Sequence, residues 1–230
     1  MRRTALFVQA RMKSTRLHLK MFRTLYKDKS ILYMCLQAAN KLKYTDKALL
    51  IPYGETKYFK DIADEFDFPI IEGPEDDVME RFAIGLLEFP NAELVQRVCA
   101  DKVVFSFIDQ LVALEEADKS FCDLTHYEND PVRSVTAGIY RASSLLAANV
   151  VYPGGNGSVW NKYREHIKPL FLKKDIWNIN TLSDSMRKQS IDISINTEED
   201  LKKMRNLFSD LYTGEPLDFL EVLDWFAKNK

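Results

Sequence analysis

The residues best equipped for chemistry stand near the amino terminus. Gln9-Ala10-Arg11-Met12-Lys13-Ser14-Thr15-Arg16-Leu17-His18-Leu19-Lys20 carries four permanent cations, a histidine and two hydroxyls. Guanidinium and ammonium groups neutralise phosphate oxygens, and hydroxyls and backbone N–H groups orient them, so the stretch suits a polyphosphate. A solvated basic loop has the same composition, and charge alone does not separate the two readings. Asp101 follows an apolar run. A carboxylate there could hold Mg2+, which keeps several waters and takes one or two carboxylates plus phosphate oxygens. It could equally cap the following turn. Arg164-Glu165-His166 is a third cluster, and His166 is one of three histidines. It could contact a substrate; a hydrogen-bonded, inert histidine is the commoner case.

These groups need a scaffold. Thr4 to Val8 is a short apolar run that passes straight into the polar segment, as a buried strand does before a loop. Ser30 is placed to cap a helix whose apolar residues recur from Ile31 to Leu42. Strands are predicted at Lys47 to Ile51, Phe68 to Ile71 and Ala92 to Val98. Helices are predicted at Thr56 to Phe66, Glu75 to Phe89 and Ser106 to Glu116. This alternation argues for an α/β fold built of βαβ units with a mostly parallel sheet. Ligands of such sheets sit beyond the carboxyl ends of the strands. The loops at residues 9–20, 72–77 and 99–105 all follow strands, so they are expected to share one cleft.

The second half is less regular. A strand is expected at Val132 to Tyr140, a helix at Ala142 to Asn149 and a flexible loop at Tyr152 to Ser158. Trp160 to Lys173 carries the histidine cluster. Ser190 to Ile195 reads as a strand, and Thr197 as the cap of a helix running to about Leu211. Asp218 to Lys230 reads as an amphipathic helix with Phe219, Leu220, Leu223 and Phe226 on the core face.

Composition narrows the classes. The chain has 230 residues, a length that favours one domain over residues 1–230. Its 32 basic and 34 acidic residues leave a net charge of −2, so no overall field favours nucleic acid. Cys35, Cys99 and Cys122 are odd in number and widely spaced, which suits buried thiols in a reducing compartment. No leader-like apolar core and no run long enough to span a membrane stands out, and the cytoplasm is the expected location.

Taken together, these segments resemble the cytidylyltransferase family that contains the acylneuraminate and ketodeoxyoctonate cytidylyltransferases. The spore coat polysaccharide biosynthesis protein F type is the most similar branch. Nine of the twelve positions at Gln9–Lys20 match that branch's Q-A-R-M-G-S-T-R-L-P-G-K without a gap. Gly73 to Phe82 resembles G-S-E-E-D-V-L-D-R-Y, and Val95 to Asp101 resembles V-R-I-T-A-D. Arg164 to Phe171 resembles R-E-H-V-T-P-Y-I, and Ser194 to Leu201 resembles T-V-D-T-P-E-D-L. One such motif is weak evidence; five in order are strong.

The resemblance implies a Rossmann-like nucleotidyltransferase with a protruding element that makes a homodimer. It implies attack by a sugar hydroxyl or carboxylate on the α-phosphate of CTP, Mg2+ as cofactor, and a role in surface polysaccharide or glycan synthesis. Arg11, Ser14, Arg16 and Lys20 would hold the triphosphate, with Arg11, Lys20 and Asp101 catalytic. Asp77, Arg81 and Arg97 would shape the nucleotide side, and Arg164, Glu165 and His166 would face the sugar. Asp101 and Asn196 would be the metal ligands. Four positions depart from the pattern: Lys13 replaces a glycine, His18-Leu19 a Pro-Gly, Lys102 a cysteine and Asn196 an aspartate. Leu19 is expected to crowd a phosphate, Lys102 to compete with Mg2+ at Asp101, and Asp192 to stand in for Asn196. The rival reading is a member that binds a nucleotide or a partner protein without catalysing transfer, and a third is a nucleotidyltransferase that takes another nucleoside triphosphate or acceptor.

Overall fold

Strand and helix alternate through the first half as the periodicity requires. The computed structural model describes residues 2–14, 16–128, 138–173, 175–183, 191 and 193–229. The chain order opens with β1 (Thr4–Gln9), a 3-10 turn at Lys20–Phe22, β2 (Thr24–Tyr26) and β3 (Lys29–Ser30). It continues with α1 (Ile31–Asn40), β4 (Asp46–Pro52), α2 (Thr56–Glu65), β5 (Ile70–Gly73), α3 (Val78–Glu88), β6 (Leu94–Cys99) and α4 (Phe107–Lys119). Then come β7 (Leu124–Tyr127), β8 (Ile139–Arg141), α5 (Ala142–Val151), α6 (Asn161–Glu165), α7 (Ile167–Lys173), β9 (Ile179–Leu182), α8 (Glu198–Leu211) and α9 (Phe219–Lys228).

Seven strands form one sheet in the order β5-β4-β1-β6-β8-β7-β9. β5, β4, β1 and β6 run parallel; β8 pairs antiparallel to β6 and to β7, and β9 runs parallel to β7. The central strands are apolar on both faces because helices cover both. Along β1, Ala5 and Phe7 face a core with α3, α5 and α7, while Leu6 and Val8 face one with α1 and α2. β4 repeats the alternation with Ala48 and Leu50 against Leu49 and Ile51.

Side-chain caps fix the helix starts. Ser30 accepts from the Tyr33 N–H, and Asp77 from the Glu80 N–H at 2.9 Å. Reciprocal capping boxes, Thr197 with Asp200 and Asp218 with Glu221, open α8 and α9. These two helices and β2 close a separate apolar cluster over α1.

Several sequence expectations need correction. β7 and β9 are short and half polar, Leu-Thr-His-Tyr and Ile-Asn-Thr-Leu, and carry no strong alternation. They form because the sheet edge beyond β8 offers them backbone partners. Of the strand expected at Val132 to Tyr140, only its last residues are described, and the pairing there covers Ile139–Arg141. Among the described residues of 190–195 no strand forms, although Ile191, Ile193 and Ile195 are buried. Leu220 is 56% exposed, and Val222 takes the core position instead.

Candidate active site

The order β5-β4-β1-β6 reverses direction between β1 and β6, where the chain returns to the other side of the first strand. This is the switch point of a doubly wound sheet, and the crevice beyond the strand ends is where ligands fit. β1 and β6 end in register, Gln9 opposite Cys99. The Ala100 N–H still donates to Gln9 O at 2.9 Å, and then both chains leave the sheet. A cavity of about 220 Å3 opens there.

Two of its walls come from loops expected to converge, 9–20 and 99–105; no residue of 72–77 lines it, and the other walls come from α3 and the end of α6. Gln9, Ala10, Arg11, Lys13, Ser14, Arg16 and Lys20 line it from the first loop. Arg81 enters from α3, Arg97 and Asp101 from the end of β6, and Glu165 and His166 from α6. Six cations thus face two carboxylates. The carboxylates are already engaged: Arg11 Nη2 donates to Glu165 Oε1 at 3.0 Å, and Lys20 Nζ to Asp101 Oδ2 at 2.5 Å. At the rim Lys13 Nζ reaches Glu75 Oε2 at 2.6 Å. Arg16 is exposed and has no ion-pair partner among the described residues.

Arg81 is buried among like charges. Its residue is 2% exposed, and among the described residues its guanidinium donates only to carbonyls, Ala10 O at 3.1 Å and Glu75 O at 3.5 Å. Burial, then the neighbouring Arg11 and Arg97, bring its pKa down to about 10, which still leaves it charged at neutral pH. Gly73 makes room for it: a Cβ there would lie 2.5 Å from Arg81 Cγ. Arg97 Nε donates to Gln9 Oε1 at 3.2 Å.

Other residues singled out in the sequence lie elsewhere. Arg164 is not among the lining residues. Its guanidinium bonds Asp77 Oδ2 at 2.7 Å, Tyr152 O at 2.7 Å, Asn149 O at 3.2 Å and Asn149 Oδ1 at 2.5 Å. Asp77 is likewise spent on Arg164 and on capping α3. Asn196 also lies outside the lining. Its N–H donates to Asp200 Oδ2 and its side-chain amide to Ser194 Oγ, both at 2.9 Å, in the turn before α8. Asp192 and Thr15 fall outside the described residues. Lys102 does not line the cavity, and the ammonium on Asp101 is that of Lys20. Leu19 does not fill the phosphate space; it is 36% exposed and takes the left-handed conformation, φ 49°, where the family motif has glycine.

Two contributors escaped the sequence reading. Gln9, the last residue of β1, accepts from Arg97 and holds it at the cavity. Glu55 accepts from the Met12 N–H at 2.9 Å and fixes the first loop; burial and nearby Glu75 raise its pKa. Neither lies in a recognisable spacing, because each partner is far away in sequence.

A Mg2+ ion is testable against this donor set. Among the described residues no three His, Cys, Asp or Glu side chains gather into a cage. Asp101 offers one oxygen without a partner among the described residues and is 33% exposed at the cavity wall. One carboxylate suffices for Mg2+ when a polyphosphate supplies further oxygens. The residues therefore fit a metal that arrives with its nucleotide.

The cytidylyltransferase family model matches residues 5–152, more than half of the chain and all of the switch-point strands. The chain belongs to the cytidylyltransferase family. No curated protein matches the sequence. Among solved structures, a cytidylyltransferase from Leptospira borgpetersenii serovar Hardjo-bovis (strain JB197) is similar with TM-score 0.87 at 17% identity, covering 100% of this chain and 95% of that one. CMP:2-keto-3-deoxy-manno-octonic acid synthetase complexed with CTP is similar with TM-score 0.68 at 13% identity, over 90% of this chain and 99% of that one. Rv0371C from Mycobacterium tuberculosis H37Rv, solved with manganese, gives TM-score 0.60 at 11% identity, over 90% and 99%. At these identities the likeness is one of fold. As a cytidylyltransferase-family fold, the chain keeps the switch-point cavity and lines it with cations. No described helix is long and apolar enough to cross a membrane.

Proposed function

We infer that the protein transfers a cytidylyl group from CTP to a sugar and releases pyrophosphate, in the service of surface polysaccharide or glycan synthesis. One observation carries the reading: six cations surround two already paired carboxylates in a single switch-point cavity. That surplus suits a nucleoside triphosphate, whose charge at neutral pH is strongly negative.

Each residue's task follows from its position. Arg11, Ser14, Arg16 and Lys20 hold the triphosphate. Arg81 and Arg97 stand at the inner end, where negative charge at the α-phosphate is stabilised by fixed donors that need no reorganisation. Glu165 and His166 line the cavity from the end of α6 and orient the acceptor. In transfer, an acceptor oxygen bonds to the α-phosphorus as the bond to the bridging oxygen of the β-phosphate breaks. The electron pair leaves with pyrophosphate, and a hydroxyl acceptor gives its proton to solvent or to His166. Mg2+, held by Asp101 and the phosphates, would neutralise charge on the leaving group. The protein's own part is positioning and charge neutralisation.

A second reading has its own support. Lys20 sits on Asp101, and Asn196 is spent in the turn before α8, so a member that binds nucleotide without transfer would look the same. Pyrophosphate release from CTP over a panel of sugars separates the two. Turnover that Asp101→Asn abolishes supports transfer. CTP binding with no pyrophosphate from any sugar supports the second reading.

A further inference from the structure

The Lys20–Asp101 pair has a property that neither the fold nor the motif contains. Lys20 follows the 3-10 turn's left-handed entry at Leu19, and its side chain is only 8% exposed. Its ammonium lies on the carboxylate best placed to take a metal, at 2.5 Å. Asp101 is more open, at 33%, so the cavity reaches the carboxylate while the lysine is tucked behind it. The other cavity carboxylate, Glu165, is held by Arg11. Among the described residues no group of three His, Cys, Asp or Glu side chains forms around Asp101.

A divalent cation arriving at the free protein therefore meets an ammonium in its place and one available carboxylate oxygen. Like charges at this range oppose each other strongly. A polyphosphate changes both conditions, since its oxygens offer the ammonium a new partner and the cation further ligands.

We propose that Lys20 occupies Asp101 in the free protein and releases it to a divalent cation only when a polyphosphate draws the ammonium away, so that nucleotide binding creates the metal site. This rests on the cytidylyltransferase reading and goes beyond it, because it fixes the order of binding. No covalent step is involved: one ion pair exchanges for two.

The test uses Mn2+ alone on the nucleotide-free full chain, following the EPR signal of the free ion. The wild type is expected to leave the ion free over a range where Lys20→Met binds one ion. The gain in affinity should be roughly tenfold or more, and Asp101→Asn in the same background should remove it. Wild-type protein that binds Mn2+ as tightly as Lys20→Met overturns the proposal. So does a folded Lys20→Met that gains nothing. If Lys20→Met, a change at a nearly buried side chain, fails to fold, the wild-type titration decides alone, and Mn2+ uptake through Asp101 without nucleotide overturns the exchange. Calorimetry with CTP in EDTA is the separate arm. Its failure counts against the nucleotide reading, whereas CTP binding together with nucleotide-free Mn2+ uptake counts against the exchange only.

Discussion

Arg81 and Arg164 are equally buried, each 2% exposed; Arg81 belongs to the first turns of α3, and Arg164 bonds the cap of that helix, Asp77. Their surroundings differ. Arg164 has the Asp77 carboxylate at 2.7 Å, that of Glu80 at 3.5 Å, two carbonyls and an amide oxygen. Among the described residues Arg81 has two carbonyls, a buried Nε without a partner and two arginines as neighbours. A guanidinium surrounded by carboxylates is finished; it locks α3, α5 and α6 together. A buried guanidinium without one keeps its charge at a cost that an incoming anion would offset. Burial does not distinguish the two roles, but the set of partners does.

The largest effect is expected on the finished side. Arg164→Ala strands Asp77 and should cost about 3–5 kcal/mol in urea unfolding. Arg164→Lys should recover little, since an ammonium cannot reproduce the fork. A wild-type midpoint for Arg164→Ala would erase the distinction.

On the open side the ranking should invert. Arg81→Met should lower CTP affinity by about 1.5–3 kcal/mol, ten- to a hundredfold, as read by calorimetry. Its unfolding midpoint should move less than that of Arg164→Ala, because methionine fills the volume and removes an uncompensated charge. Equal CTP binding by Arg81→Met would show that Arg81 is structural as well.

Gly154 sharpens the contrast further. A Cβ there would lie 2.6 Å from Asp77 Oδ2 and 2.7 Å from Arg164 Nε. Gly154→Ala should therefore cost about 1–3 kcal/mol by overpacking the finished network, and leave CTP affinity close to wild type in the folded fraction. The smallest change is expected at Leu19. Its left-handed φ costs an L-residue roughly 1–2 kcal/mol, and glycine removes that cost but adds about 0.5–1 kcal/mol of unfolded-chain entropy. Leu19→Gly should therefore shift stability by roughly 0–1.5 kcal/mol in thermal unfolding, in the stabilising direction.

The parts of the fold legible in the sequence are those set by local physics. Apolar runs marked β1, β4 and β6, and Ser30 and Thr197 marked helix starts. The strand-end rule then brought residues 9–20, 72–77 and 99–105 to one edge without any distance being known. Illegible were features that depend on partners far away. β7 and β9 exist because an edge was waiting for them. Asn196 sits in the same motif context as a metal ligand, yet the turn before α8 uses both its N–H and its amide. A motif carries residue identity forward; it does not say whether the donors are already spent. Arg164 is the plainest instance, since sequence placed it beside Glu165 and His166, and only the network around it turns its side chain away from them.

The central claim is that the surplus of cations at the switch point exists for a polyphosphate. Calorimetry of the wild-type chain with CTP and with cytidine, each at two salt concentrations, tests it most directly. CTP should bind far more tightly than cytidine, with an affinity that falls as salt rises. Equal affinity for the two, insensitive to salt, would contradict the claim.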